Sequence, residues 1–151
     1  MTAAHWLLAT HLLGAMVWVG GIAFVFSVLR PSLAVLDVPA RLVMNAEIHR
    51  RFFKLLWLAM PIVLASGYGL LFVVSGGFGA AGWAVQAMHL SGLAMSVLFL
   101  AIFVGPFRSL REAARSGDLA RGTAAMTRLR QLALINLFLG MLTMVVAVMG
   151  T

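Results

Sequence analysis

The stretch HWLLATHLLGAMVWVGGIAFVFSVL, residues 5–29, decides the fold: it contains no Lys, Arg, Asp or Glu. A helix needs about 20 apolar residues to cross the hydrocarbon core of a bilayer. Residues 5–29 meet that length and are read as a membrane span. Three more uncharged apolar runs follow, at 55–74, 83–107 and 131–150. Between the second and third lies SGGFGAAG, residues 75–82, too rich in glycine to hold a helix.

The composition agrees with this reading. Of 151 residues, 63% are hydrophobic and 10% are charged, whereas soluble domains carry about 25% charged residues. Cysteine is absent, which excludes thiolate metal sites, thiol catalysis and iron–sulfur clusters. The expected fold class is all-α, an integral membrane four-helix bundle forming a single domain over residues 1–151.

Charge is confined to two segments, 30–54 and 108–130. They hold all 11 Lys and Arg residues and all four acids, for a net charge of +7. Such clustering reads as loops on one side of a membrane, not as a nucleic-acid surface. The positive-inside rule places both segments in the cytoplasm. The termini and the 75–82 turn then face the periplasm of a bacterial inner membrane. No basic residue precedes the first run, which is also longer than a signal-peptide core, so it is expected to be retained.

The basic segments read as helical extensions. Pro39 suits the first turn of a helix that runs directly into span two. Glu47 reaches Arg50 and Arg51 at i+3 and i+4, and Arg108 pairs with Glu112. Gly117-Asp118 reads as a helix stop followed by a new N-cap. The basic faces are expected near anionic lipid headgroups. His49 is assigned to a solvated helix face, and Pro61 is expected to kink span two.

Polar groups inside the spans carry the functional reading, because ionisable side chains at depth are costly. His11 in span one, Tyr68 in span two and His89 in span three each lie six residues from the uncharged end. At helical rise that is about 9 Å deep. His11, Gly14, Trp18 and Gly21 share one stripe, and His89 and Gly92 share another. Two facing helices that each offer one histidine form the minimal bis-His arrangement for haem b. In the leading reading His11 and His89 bind the haem iron, Tyr68 and Trp18 wall the pocket, and Gly14, Gly21 and Gly92 give clearance. Quinone or a periplasmic redox species would then be the electron partner. Whether the protein is a haem-dependent oxidoreductase, and whether it is a homo-oligomer, is left open.

The second reading is copper binding or transport through His5, His11, Met88 and His89, since imidazole and thioether ligands suit copper. The third is a non-catalytic membrane scaffold. No span contains Asp or Glu, which counts against proton-coupled transport. Asn136 is read as interhelical glue.

Four segments carry a resemblance when taken in order. They are THLLGAMVWVGGIAF (10–24), HRRFFKLLWLAMPIVLASGYG (49–69), QAMHLSGLAM (86–95) and RLRQLALINLFLG (128–140). The chain resembles small bacterial membrane proteins of the CopD-like (copper resistance D) superfamily. That superfamily includes larger copper-resistance proteins and HemJ-type protoporphyrinogen oxidases, which are haem-binding four-helix proteins. His11, Trp18 and Gly21 match the HemJ-like first-helix pattern. His89 stands near the place of a HemJ lysine, and Asn136-Leu137 replaces an Asn-Glu-x-Pro stretch. These departures count against protoporphyrinogen oxidation. The resemblance implies haem binding or, through the copper proteins, periplasmic copper handling.

Overall fold

A computed structural model describes residues 2–150; residues 1 and 151 of the expected domain lie outside the described residues. All regular structure among the described residues is helical. Helix α1 covers Ala3–Val35, α2 Val38–Val73, α3 Trp83–Ser116 and α4 Leu119–Met149. Each is long and apolar enough to cross a membrane, so the expected four-helix class is found.

All four helices outrun their apolar stretches, because the charged segments continue the helices. At α2 the Asp37 carboxylate accepts the Ala40 N–H at 2.9 Å, with Pro39 in the first turn. The α3 helix stops at Gly117, whose φ of +72° is left-handed, and Asp118 caps α4 by accepting from the Arg121 N–H at 3.0 Å. The 75–82 turn reverses through Gly76 and Gly77, both at positive φ. An added Cβ disfavours that conformation, so glycine is required there. The helix α2 runs unbroken through Pro61. Wide π-helical turns interrupt α1 at Met16–Gly20 and Val25–Leu29, and α3 at Phe103–Phe107, the last around Pro106.

The helices pack chiefly as two antiparallel hairpins, α1 on α2 and α3 on α4. Small residues set the approach. A Cβ at Gly14 would stand 2.6 Å from Val63 Cγ2, and one at Gly140 would stand 2.7 Å from Val19 Cγ2. Toward the charged end the hairpins join through an aromatic core. Phe53 meets Phe107 at 4.6 Å and Phe99 at 5.6 Å between ring centroids, all edge-on. Trp57 and Trp18 pack edge-on against Phe99. Such ring pairs contribute about 0.5–1.5 kcal/mol each beyond their buried area.

His49 corrects the sequence reading. It is 5% exposed, not solvated. Its ring lies 6.0 Å from that of Phe53, and Nδ1 donates to the Asn45 carbonyl at 2.7 Å. Residues 45–49 lie in the helical extension of α2, against which the extensions of α3 and α4 pack.

Candidate functional site at the uncharged end

His11 is seated on α2. Its Nδ1 lies 2.9 Å from the Val63 carbonyl oxygen and 3.2 Å from Ser66 Oγ. A carbonyl only accepts, so Nδ1 carries the hydrogen and Nε2 keeps its lone pair. Gly67 makes the seat possible: a Cβ there would stand 3.1 Å from His11 Cε1. Ser66 in turn donates to the Ile62 carbonyl at 2.5 Å. Metal-binding histidines are commonly oriented in this way, with the second ring nitrogen donating to a carbonyl.

His89 has different surroundings. Its ring lies 5.3 Å from Tyr68 and 5.0 Å from Phe78, both edge-on. Phe78 comes from the glycine-rich turn, so the turn folds over the ends of α2 and α3. Among the described residues neither His89 nitrogen has a hydrogen-bond partner. The neighbouring Ser91 hydroxyl accepts from Thr143 Oγ1 at 2.8 Å, tying α3 to α4.

The structure joins some of the expected site residues and separates others. Tyr68 and His89 meet. His11 packs on Val63, Ser66 and Gly67, and no ring contact joins it to His89 among the described residues. Trp18 lies apart from Tyr68. It is 2% exposed, packs on Phe99, and its Nε1 is buried without a partner among the described residues. The space beside Gly14 is filled by Val63 and that beside Gly21 by Phe52, whereas Gly92 opens onto free space. The clearance assigned to the first two glycines is therefore taken up by α2.

His5 is engaged locally. Its Nδ1 lies 2.6 Å from Thr2 Oγ1 and accepts the Thr2 N–H at 3.3 Å. Gln86 donates to the Ala81 carbonyl at 3.2 Å. Met88 lies on α3 next to His89 and is half-buried. Among the described residues no three of His, Cys, Asp or Glu gather in a group fit to hold a metal ion. Ser66 and Gly67 are not among the site residues expected from the sequence. The small SG pair at the depth of His11 was the available signal for a seat.

A family model described as CopD, Copper resistance protein D, matches residues 46–149. That is more than two-thirds of the chain, from the α2 extension to the end of α4. The chain belongs to this family and is a multi-pass membrane protein. No curated protein and no solved structure matches it significantly.

Proposed function

We propose that this protein handles copper as cargo at the bacterial inner membrane, with its uncharged end in the periplasm. The observation that carries the reading is the His11 seat, in a chain of the copper-resistance family. The Val63 carbonyl holds Nδ1–H and leaves Nε2 as a fixed donor for a soft-to-borderline metal. His89, with two free ring nitrogens beside Met88, is the second donor. One or two donors at a time suit an ion in transit, because passage requires binding weak enough to release. The eleven Lys and Arg residues at the other end support a cytoplasmic location for it by the positive-inside rule.

The test is Cu(I) uptake into proteoliposomes loaded with a copper chelator. Wild-type protein is expected to take up copper, and His11→Ala and His89→Ala each to lose at least about tenfold of the rate. Absence of uptake by the wild-type protein, or wild-type uptake by both variants, overturns the reading. So does a Soret band in the purified protein that disappears with either histidine, because that would restore haem ligation.

A further inference from the structure

The charged end contains a recess that the copper reading does not use. A cavity of about 540 Å³ opens between the end of α1 and the starts of α2 and α4. This size falls within the usual range of small-molecule sites. Three arginines line it, Arg30, Arg41 and Arg130, and no acidic residue does.

None of the three arginines has a carboxylate within ion-pair distance among the described residues. Glu47 is taken by Arg50 and Arg51, and Glu112 by Arg108 and Arg121. Arg41 donates through Nη2 to the Leu36 carbonyl at 2.8 Å, while its Nε is buried with no partner among the described residues. The other polar liners hold their hydrogens elsewhere. Thr123 and Thr127 donate to the carbonyls of Leu119 and Thr123, and Asn45 to that of Arg41. The recess therefore presents guanidinium donors to its interior. A guanidinium fork matches phosphate oxygens bidentately.

The height of the recess identifies the source of the anion. Arg30 directly follows the apolar run 5–29 and Arg130 directly precedes the run 131–150. Both thus stand where hydrocarbon gives way to headgroups. We infer that Arg30, Arg41 and Arg130 form a phosphate-recognition cleft that takes the headgroup of an anionic phospholipid. Basic pockets between transmembrane helices are suited to such headgroups.

The experiment is native mass spectrometry of the full-length protein released from nanodiscs. One set contains phosphatidylcholine alone, and the other mixes phosphatidylcholine with phosphatidylglycerol. Wild-type protein is expected to retain phosphatidylglycerol in preference to phosphatidylcholine. Arg30→Gln and Arg130→Gln should each weaken that retention roughly tenfold, the size of one charge-assisted hydrogen bond. Arg115→Gln and Arg128→Gln remove the same charge outside the cleft and should leave retention unchanged. Arg30→Lys keeps the charge without the fork and serves if the Gln variant fails to fold; it should lose part of the preference. Equal retention of the two lipids overturns the inference, as does equal weakening by the outside pair. Binding of inorganic phosphate without any preference for phosphatidylglycerol overturns the lipid as occupant.

Discussion

The imidazole of His11 lies against the backbone of Gly67, so that a Cβ at residue 67 would stand 3.1 Å from Cε1 and 3.4 Å from Nδ1. Alanine there gains helix propensity, about 1 kcal/mol relative to glycine, and crowds the ring by a few tenths of an ångström. Gly67→Ala is therefore expected to change thermal stability by less than about 1 kcal/mol while disturbing the Val63 bond. Copper uptake should fall more than the melting temperature. Uptake equal to wild type would show that the seat has no part in function.

Gly21 and Gly92 make a contrasting pair. A Cβ at Gly21 collides with the Phe52 ring, whereas one at Gly92 meets nothing within 4 Å. Gly21→Ala should destabilise by about 1–3 kcal/mol through overpacking. Gly92→Ala should stabilise by about 0.4–1 kcal/mol, because it removes unfolded-state freedom at no steric cost. Thermal unfolding in detergent checks both. Reduced copper uptake in Gly92→Ala, despite a raised melting temperature, would place the cargo beside α3.

Asn136 is 2% exposed; its Nδ2 donates to the Met95 carbonyl at 3.2 Å, and its Oδ1 is buried without a partner among the described residues. Interhelical bonds of this type contribute about 0.6 kcal/mol, and an unpaired buried acceptor costs about 1–3 kcal/mol. Asn136→Leu is expected to be neutral or stabilising in thermal unfolding. A loss above about 2 kcal/mol would indicate that the oxygen is satisfied in the membrane.

Glu47 sets a pH dependence at the charged end. Hydrogen bonds from Arg50 and then Arg51 lower its carboxyl from the ordinary 4.5 to about 2. A lowered carboxylate stabilises the fold above the unfolded value and loses that contribution as pH falls through the folded one. The Glu47 contribution to the melting temperature should thus be level above pH 4.5 and decline between 4.5 and 2. Glu112, lowered by Arg108 and then Arg121, acts in the same direction. Glu47→Gln should flatten part of the decline; an unchanged slope would assign it to other groups.

The Gly117-Asp118 junction is a stability element of its own. Gly117→Ala forces a side chain into the left-handed region and should cost about 1–2 kcal/mol. Asp118→Ala removes the α4 cap and should cost about 1 kcal/mol. Melting curves of the two single variants test both values.

Much of the fold was legible because length and charge determine it. Four uncharged runs and two basic segments fix four membrane helices, and the Gly117-Asp118 stop and cap follow from glycine conformation and carboxylate geometry. Tyr68 and His89, which the sequence places at one depth, stand in ring contact. Which face of α1 meets which neighbour was not legible. A His-Gly-Gly stripe serves equally well to clear space or to seat a helix, and only packing shows that Val63, Phe52 and Gly67 are its partners. His49 illustrates the same limit. Its neighbours in sequence are charged, but its burial depends on the extensions of α3 and α4 packing on α2, which local sequence does not reveal.

The confinement of every formal side-chain charge to one end also has an electrical consequence. In the proposed orientation the 75–82 turn, which carries no charge, would cross during insertion without work by the membrane potential. An inverted molecule would instead carry its net +7 outward against an inside-negative potential. At about 2.3 kcal/mol per charge per 100 mV, that amounts to roughly 16 kcal/mol. The resting voltage of a cell would thus act as a latch on the proposed orientation, set by arginines and lysines that need make no contact at all.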